Sequence, residues 1–522
     1  MVSLRYLNYK KILKILLFVV LGWLLFFDLS DNYLWNDEAS TAILARNVLK
    51  FGYPRSFDGL NYHYPSLPHL NRPGTYIWIG DPWLQYYIMA LSFKIFGINT
   101  WSSRVLFVIS GFLTLVLVYL FSLRYLKSHG IGILSVILLG TSVPFLLHAR
   151  QARYYGLVIL LSITAFYLYY KIIKDRKGYF WLGSTLVFLT LVNYAAFIPV
   201  SCGLWILALI VDRTEIKWHK FIFMSIFPIM FFIGWVLFSW VLIKIDTVCF
   251  PVNFSLNGIR RNLEFQIRTI NTYFMPIFFW FSAVIFFWIS KRRDVFKIGP
   301  EDRKFFIRMG TILLANITFF SLAGMRTMRY YVQYLPFLCL GEAFLLYRLF
   351  EWKKIFAIVI LPTLIFTNFL SRPDKPRFYF LNYLYEITHE YTGPMEALSK
   401  YLKLHAKPKD RVKILKGDLE IIFYNPELLV LNDARYFQRT YPEWIVVRKY
   451  WNPIYEDKWR NELHAEIEPG YLDVLERYDK VLLPAVDSIW ENSPDSFEEH
   501  FFRQPVITPE NQMVVYHLRQ KG

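Results

Sequence analysis

Long apolar runs separated by short charged stretches fill roughly the first 370 positions, and a different pattern follows. A helix needs about 20 apolar residues to cross a hydrocarbon core. Candidate spans are Ile12–Asp28, Ser103–Leu123, Gly130–Leu147, Tyr154–Ile172, Tyr179–Val192, Ala195–Val211, Phe221–Ile243, Thr272–Ile289, Phe305–Leu322, Tyr331–Leu349 and Ile355–Leu370. By length alone the pattern predicts about eleven. Alternate connections (Arg124–His129, Lys171–Lys177, Asp212–Lys220, Lys291–Lys304 and Arg348–Lys354) each hold at least two Lys or Arg. Basic loops stay cytoplasmic, so the N-terminus is expected there too. Parity then requires a turn near Asn193; one helix across that stretch would reverse every later loop.

Two large regions are thereby expected on the outer face. The first loop, Leu29–Ser102, opens with a short amphipathic helix, Glu38–Lys50. It continues as irregular chain through Phe51–Gly80, rich in Gly, Pro, His and Tyr. Asp81-Pro82 begins a second helix, Trp83–Phe96, stopped by Gly97 and read as lying in the interface plane. From Ser371 onward the pattern becomes charged and alternating. Met395–His405 reads as a helix. Arg411–Lys416, Leu428–Leu431, Trp444–Arg448, Lys480–Pro484 and Met513–Leu518 read as strands, with further helical stretches at Tyr471–Tyr478 and Ser496–Phe502. The expectation is a polytopic α-helical membrane module, residues 1–370, followed by an extracytoplasmic α/β domain, residues 371–522. That domain has no glycine-rich phosphate loop, which argues against a nucleotide site.

Composition narrows the class. The 522 residues are 55% hydrophobic and 19% aromatic, with a mean hydropathy of +0.31, unsuited to a soluble protein. The net charge of +18 sits in loop clusters and not on one face, so nucleic acid is not an expected partner. Cys202, Cys249 and Cys339 match no metal or disulfide spacing. The first run is followed by Asp28 and Asp31 and shows no small-residue cleavage site, so it reads as an uncleaved anchor.

Arginine is disfavoured at outer span ends and costly in the bilayer. Yet Arg104 opens the second span, and Arg150-Gln151-Ala152-Arg153-Tyr154-Tyr155 and Arg326-Thr327-Met328-Arg329-Tyr330-Tyr331 repeat one spacing at two outer turns. On helices, residues three apart share a face, so each pair would present two guanidinium forks to one anion, such as a lipid phosphate. Snorkelling arginines beside an aromatic belt are the ordinary alternative. Asp37 and Glu38 follow Tyr33-Leu34-Trp35-Asn36 at an expected helix start. Asp37 fits an N-cap or first-turn acid. It also fits a base taking a proton from an attacking hydroxyl. His63, His69 and Asp81 share the loop and would suit a divalent cation, although their spacing matches no zinc motif.

These residues resemble the GT-C glycosyltransferases, nearest the protein O-mannosyltransferase and lipid A aminoarabinose transferase branch. The likeness rests on the first-loop Asp37-Glu38 before a helix ending at Phe51-Gly52-Tyr53-Pro54. It rests also on Asp81-Pro82-Trp83-Leu84-Gln85-Tyr86-Tyr87, similar to that branch's His-Pro-Pro-Leu-x-Tyr-Tyr, with Asp81 and Trp83 departing from it. Ala149–Tyr154 and Arg329-Tyr330 before Pro336 complete it. The resemblance implies a polyprenyl-phosphate sugar donor, transfer with inversion on the extracytoplasmic face, Asp37 as base and Glu38 as its support. Arg104, Arg150, Arg153, Tyr154, Arg326, Arg329 and Tyr330 are expected at the donor phosphate, with no obligatory cofactor and a protein, lipid or glycan acceptor. The membrane would be a plasma or inner membrane, or the endoplasmic reticulum of a eukaryote. A lipid-linked sugar flippase is the rival reading; it would place ionisable residues at span centres.

Overall fold

The structure, a computed structural model, describes residues 2–63, 74–243, 255–277, 279, 299–414, 416–432, 441–448, 475–488, 491–495 and 500–519. The chain forms two compact units. One comprises Met1–Phe27, Asp81–Leu84 and Val105–Ile387; the other comprises Asp28–Gly80, Gln85–Arg104 and Thr388–Gly522. By packing, the first loop therefore belongs with the C-terminal segment.

The first unit is a helical membrane module. Its long helices are α1 (Val2–Phe26), α4 (Thr100–Tyr125), α7 (Tyr155–Asp175), α9 (Tyr194–Ile206, prolonged by a π-turn to Val211), α10 (Trp218–Ile243) and α12 (Pro300–Ala323). Five segments among the described residues are long and apolar enough to cross a bilayer, or six if the pair α5 (His129–Gly140) and α6 (Val143–Ala149) is one span. That pair bends by 67°, so the expected straight span over Gly130–Leu147 is broken. Shorter apolar helices are α8 (Tyr179–Val192) and α14 (Lys354–Phe366), the latter between α13 (Leu335–Trp352) and α15 (Tyr379–Thr388). The turn expected near Asn193 is present. Asn193 ends α8 in an extended conformation, and its side chain accepts the Ala196 N–H at 3.1 Å, capping α9. Ahead of the expected span at Thr272, the chain forms an amphipathic helix, α11 (Leu256–Thr269), followed by a π-turn over Ile270–Phe274. Most of the expected span Thr272–Ile289 lies outside the described residues.

The second unit carries α2 (Asn36–Phe51) and α3 (Leu84–Phe96, counted from Gln85) from the first loop. Gly52 ends α2 at φ 81° and Gly97 ends α3 at φ 78°, a left-handed backbone that favours glycine. The C-terminal segment adds α16 (Pro394–His405), β1 (Arg411–Ile414), α17 (Asp418–Tyr424), β2 (Leu429–Leu431), β3 (Trp444–Val447), β4 (Tyr478–Val486) and β5 (Gln512–Leu518). The sheet order is β2-β1-β3-β5-β4, with β1 parallel to β2 and β3, and β5 antiparallel to β3 and β4. All five expected strands are observed. Helix α17 was not anticipated, but the parallel β1–β2 pair demands a crossover, and α17 is that crossover. The expected helices at Tyr471–Tyr478 and Ser496–Phe502 lie half outside the described residues; where described, the first is a turn that enters β4 at Tyr478 and the second is irregular chain at 500–502.

Candidate functional site

In the second unit, α2 sets the geometry of the acidic pair. Trp35 is the N-cap and Glu38 the third helical residue; the Glu38 carboxylate accepts the Trp35 N–H at 3.3 Å, half of a capping box. Glu38 is fully buried and ion-paired with Arg104, which donates from Nε at 2.8 Å and from Nη2 at 2.7 Å. Nη1 of Arg104 donates to the carbonyls of Leu29 (2.8 Å) and Asn32 (2.9 Å), and Nη2 reaches that of Tyr33 at 3.4 Å. All five donors of this guanidinium are thus committed to the loop. Arg104, expected at the donor phosphate, instead clamps residues 29–38. Glu38 supports the loop and has no oxygen to spare for chemistry.

Asp37 differs from its neighbour. It is half-buried at the second helical position, where the macrodipole favours a negative charge, and its carbonyl accepts the Thr41 hydroxyl at 3.0 Å. The C-terminal segment reaches this helix start. Tyr424 at the end of α17 accepts the Leu34 N–H at 2.8 Å, exchanges a hydrogen bond with Thr100 at 2.8 Å, and stacks on Tyr33 with ring centroids 3.9 Å apart. Four residues earlier, on the same helical face, Glu420 lies within electrostatic range of Asp37. Burial pushes the Glu420 carboxyl up to about 8, with Asp418 and Asp37 adding to the rise against the backbone and Arg448. Burial likewise raises Glu491 well above the usual range. Sequence reading missed Glu420, Glu491 and Tyr424. The signal available was Glu420 beside the apolar run Ile421-Ile422-Phe423; Glu491 sits in a polar stretch that offered none.

His63 is buried, shares a 2.8 Å hydrogen bond with Ser40 of α2, and packs edge-on against Trp78 at 4.6 Å. This ties the loop to the helix. His69 lies outside the described residues. Among the described residues no group of three or more His, Cys, Asp or Glu is arranged to hold a metal.

In the first unit, the outer arginines do not form two matched pairs. Arg150 ends the short α6, and Nη1 donates to the α1 carbonyls of Leu24 (3.2 Å) and Leu25 (3.3 Å) and to that of Phe27 just beyond (2.7 Å), while the guanidinium lies 5.8 Å from the Tyr383 ring. A cation at the last carbonyls of α1 satisfies otherwise orphaned acceptors. Residues 151–153 leave the helix, so Arg153 points elsewhere: it is buried, with its guanidinium 5.4 Å from the Tyr154 ring. Close helix crossing fixes this turn. A Cβ on Gly156 would sit 2.6 Å from the Phe107 carbonyl, and one on Gly111 would sit 2.8 Å from the Ala149 Cβ. Arg326 follows the left-handed Gly324 and donates to Asn262 of α11 at 2.6 Å. Arg329 lies in the 3-10 turn Met328–Tyr330. Tyr154 has Arg153, Arg329 and Tyr330 within electrostatic reach. One arginine from each repeat therefore lies within electrostatic reach of Tyr154, while Arg150 bonds to the end of α1 and Arg326 to α11. Two guanidiniums and two phenols supply charge-assisted donors suited to a phosphate. Asp81 is half-buried in the bend before α3.

No family model matches the chain. Two curated relatives, both uncharacterized proteins of Aquifex aeolicus (strain VF5), are 26% identical over 293 and 242 residues, covering 54% and 44% of this chain. The chain spans about half the length of these relatives, 55% and 54%. Among solved structures it shares the fold of ArnT from Cupriavidus metallidurans. The form bound to undecaprenyl phosphate superposes with a TM-score of 0.58 at 12% identity, over 96% of this chain and 97% of that one. The apo form gives 0.55 at 12% identity, over 99% and 98%.

Proposed function

We propose that this protein is a membrane glycosyltransferase that takes a sugar from a polyprenyl-phosphate donor and passes it, with inversion, to an extracytoplasmic acceptor. The observation that carries the reading is the division of labour in the acidic pair. Glu38 is wholly consumed by Arg104 and the Trp35 N–H, and it holds a half-buried Asp37 at a helix start. A fold shared along nearly its whole length with a protein solved bound to undecaprenyl phosphate supports a lipid-phosphate ligand. In this reading Asp37 takes the proton from the attacking acceptor group. The acceptor bonds to the sugar carbon as the bond to the phosphate oxygen breaks, and polyprenyl phosphate leaves with the electron pair. A phosphate leaving group needs positive charge more than it needs a general acid, and Arg153 and Arg329 with Tyr154 and Tyr330 supply it. One displacement with one base inverts the sugar carbon.

The test is purified protein incubated with a panel of polyprenyl-phosphate sugars, following release of polyprenyl phosphate and appearance of transferred sugar. Cleavage of one donor by the wild type, with loss of about a hundredfold or more in Asp37→Asn, is expected. Near-normal turnover by Asp37→Asn removes Asp37 from the mechanism. A carrier reading has one observation in its favour: Glu342 is buried near the middle of α13. The same panel separates the two, since a carrier moves the donor without cleaving it.

A further inference from the structure

A groove of 630 Å³ runs between α8 and α10 in the helical unit. Its two walls rise in parallel register. Tyr179, Phe180 and Phe188 stand on α8, and Phe223, Phe227 and Phe231 on α10. The helices meet at Gly183, where a Cβ would lie 3.0 Å from the Met224 carbonyl. Above its mouth the groove is apolar, and its one hydroxyl, on Ser184, is spent on the Phe180 carbonyl at 3.0 Å. Both helices begin at the same end, α8 at Tyr179 and α10 at Trp218, so two positive dipole ends point to the mouth. The Tyr179 hydroxyl accepts the Lys217 N–H at 2.9 Å and joins the two starts. His219 and Lys220 line that mouth, and Lys177 and Lys217 flank it in sequence. Among the described residues Lys177, Lys217 and Lys220 make no ion pair, whereas nearby Lys174, Arg124 and Lys304 pair with Glu301, Asp175 and Glu215.

We infer that this groove is a binding site for an anionic glycerophospholipid, its phosphate held at the Lys217–Lys220 mouth and an acyl chain laid along the phenylalanine wall. Charge complementarity selects the occupant. A zwitterionic lipid would fill the wall equally well and gain little at the mouth. Basic residues beside a bilayer attract anionic headgroups by about 1 kcal/mol each. From Tyr179 to Phe188 the wall rises about 14 Å, enough for the greater part of an acyl chain. The groove shares no lining residue with the Arg153–Arg329 patch, and its occupancy does not depend on the proposed transferase activity.

The experiment is native mass spectrometry of detergent-purified protein after equilibration with equimolar phosphatidylglycerol and phosphatidylcholine. Retention of one phosphatidylglycerol in preference to phosphatidylcholine is expected. Lys217→Gln/Lys220→Gln should reduce that retention about tenfold, and Val187→Trp, which fills the groove, should abolish it. Because the lysine pair is exposed, its variant should keep the wild-type melting temperature, which guards against misreading a folding defect. Equal retention of the two lipids, or preference unchanged in both variants, overturns the inference.

Discussion

Adjacent acids in a sequence look alike, and only their partners separate them. Asp37-Glu38 was legible as a helix start and as candidate chemistry, but the sequence does not show that Arg104, 66 positions away, commits its fork to Glu38. Breaking a buried pair leaves an uncompensated charge, so Arg104→Ala should cost about 3–5 kcal/mol of stability, read as a lower denaturation midpoint in detergent. Asp37→Asn loses only a dipole-facing charge and should cost about 1 kcal/mol or less while losing transfer. If the two variants destabilise equally, the division of roles between the acids fails. The arginines teach the same lesson. The repeated Arg-x-x-Arg spacing assumed an unbroken helix, but the helix ends at Ala149, and Gly324 interrupts the chain before Arg326. Arg153→Gln/Arg329→Gln should raise the donor KM about tenfold or more through lost charge-assisted bonds. Arg150→Gln and Arg326→Gln should instead show as altered stability with the donor KM held.

At the scale of elements, strong periodicity was readable and short helices were not. The strands announced themselves by alternation, and the α8–α9 turn by loop charge. Helix α17 has seven residues, with two acids in its first turn, and nothing in its period distinguishes it from loop. Only the parallel pairing of β1 with β2, a non-local fact, requires it. Its consequence is pH-dependent. Burial raises Glu420 to about 8 in the folded protein, so the folded state holds a proton that the unfolded chain has released. The associated stability is complete below the ordinary glutamate range near about 4.3 and is lost as pH rises through about 8. Glu491, raised by burial too, acts in the same direction. The C-terminal segment should therefore melt at lower temperature at pH 8 than at pH 5.5, and Glu420→Gln should flatten that slope. A wild-type melting curve indifferent to pH over this range would contradict the buried, protonated carboxyl.

At the scale of the molecule, the sequence suggests a linear boundary near Ser371, whereas packing joins residues distant in the chain. Loop residue Asn61 donates to the Leu428 carbonyl at 2.9 Å and accepts the Val430 N–H at 2.8 Å, bonding along β2 like an added strand. Asn432 donates to the Tyr62 carbonyl at 3.1 Å, and Arg46 of α2 to the Ile422 carbonyl at 3.1 Å. Hydropathy cannot reveal such joins, because each is a polar side chain bonding a backbone group far away in the sequence. They change what a truncation would mean. Removing residues 388–522 would strip these partners from the first loop and expose the buried face of α2, including Ala42, Ile43 and Ala45. The truncated protein should remain membrane-inserted, since its spans are untouched, yet lose transfer because Asp37 is no longer held. Limited proteolysis should then cut within residues 53–63 or 74–80 faster than it does in the full chain. A truncated protein that resists cleavage there and still transfers sugar would show that the first loop folds without its C-terminal partner, and the joint unit would have no functional meaning.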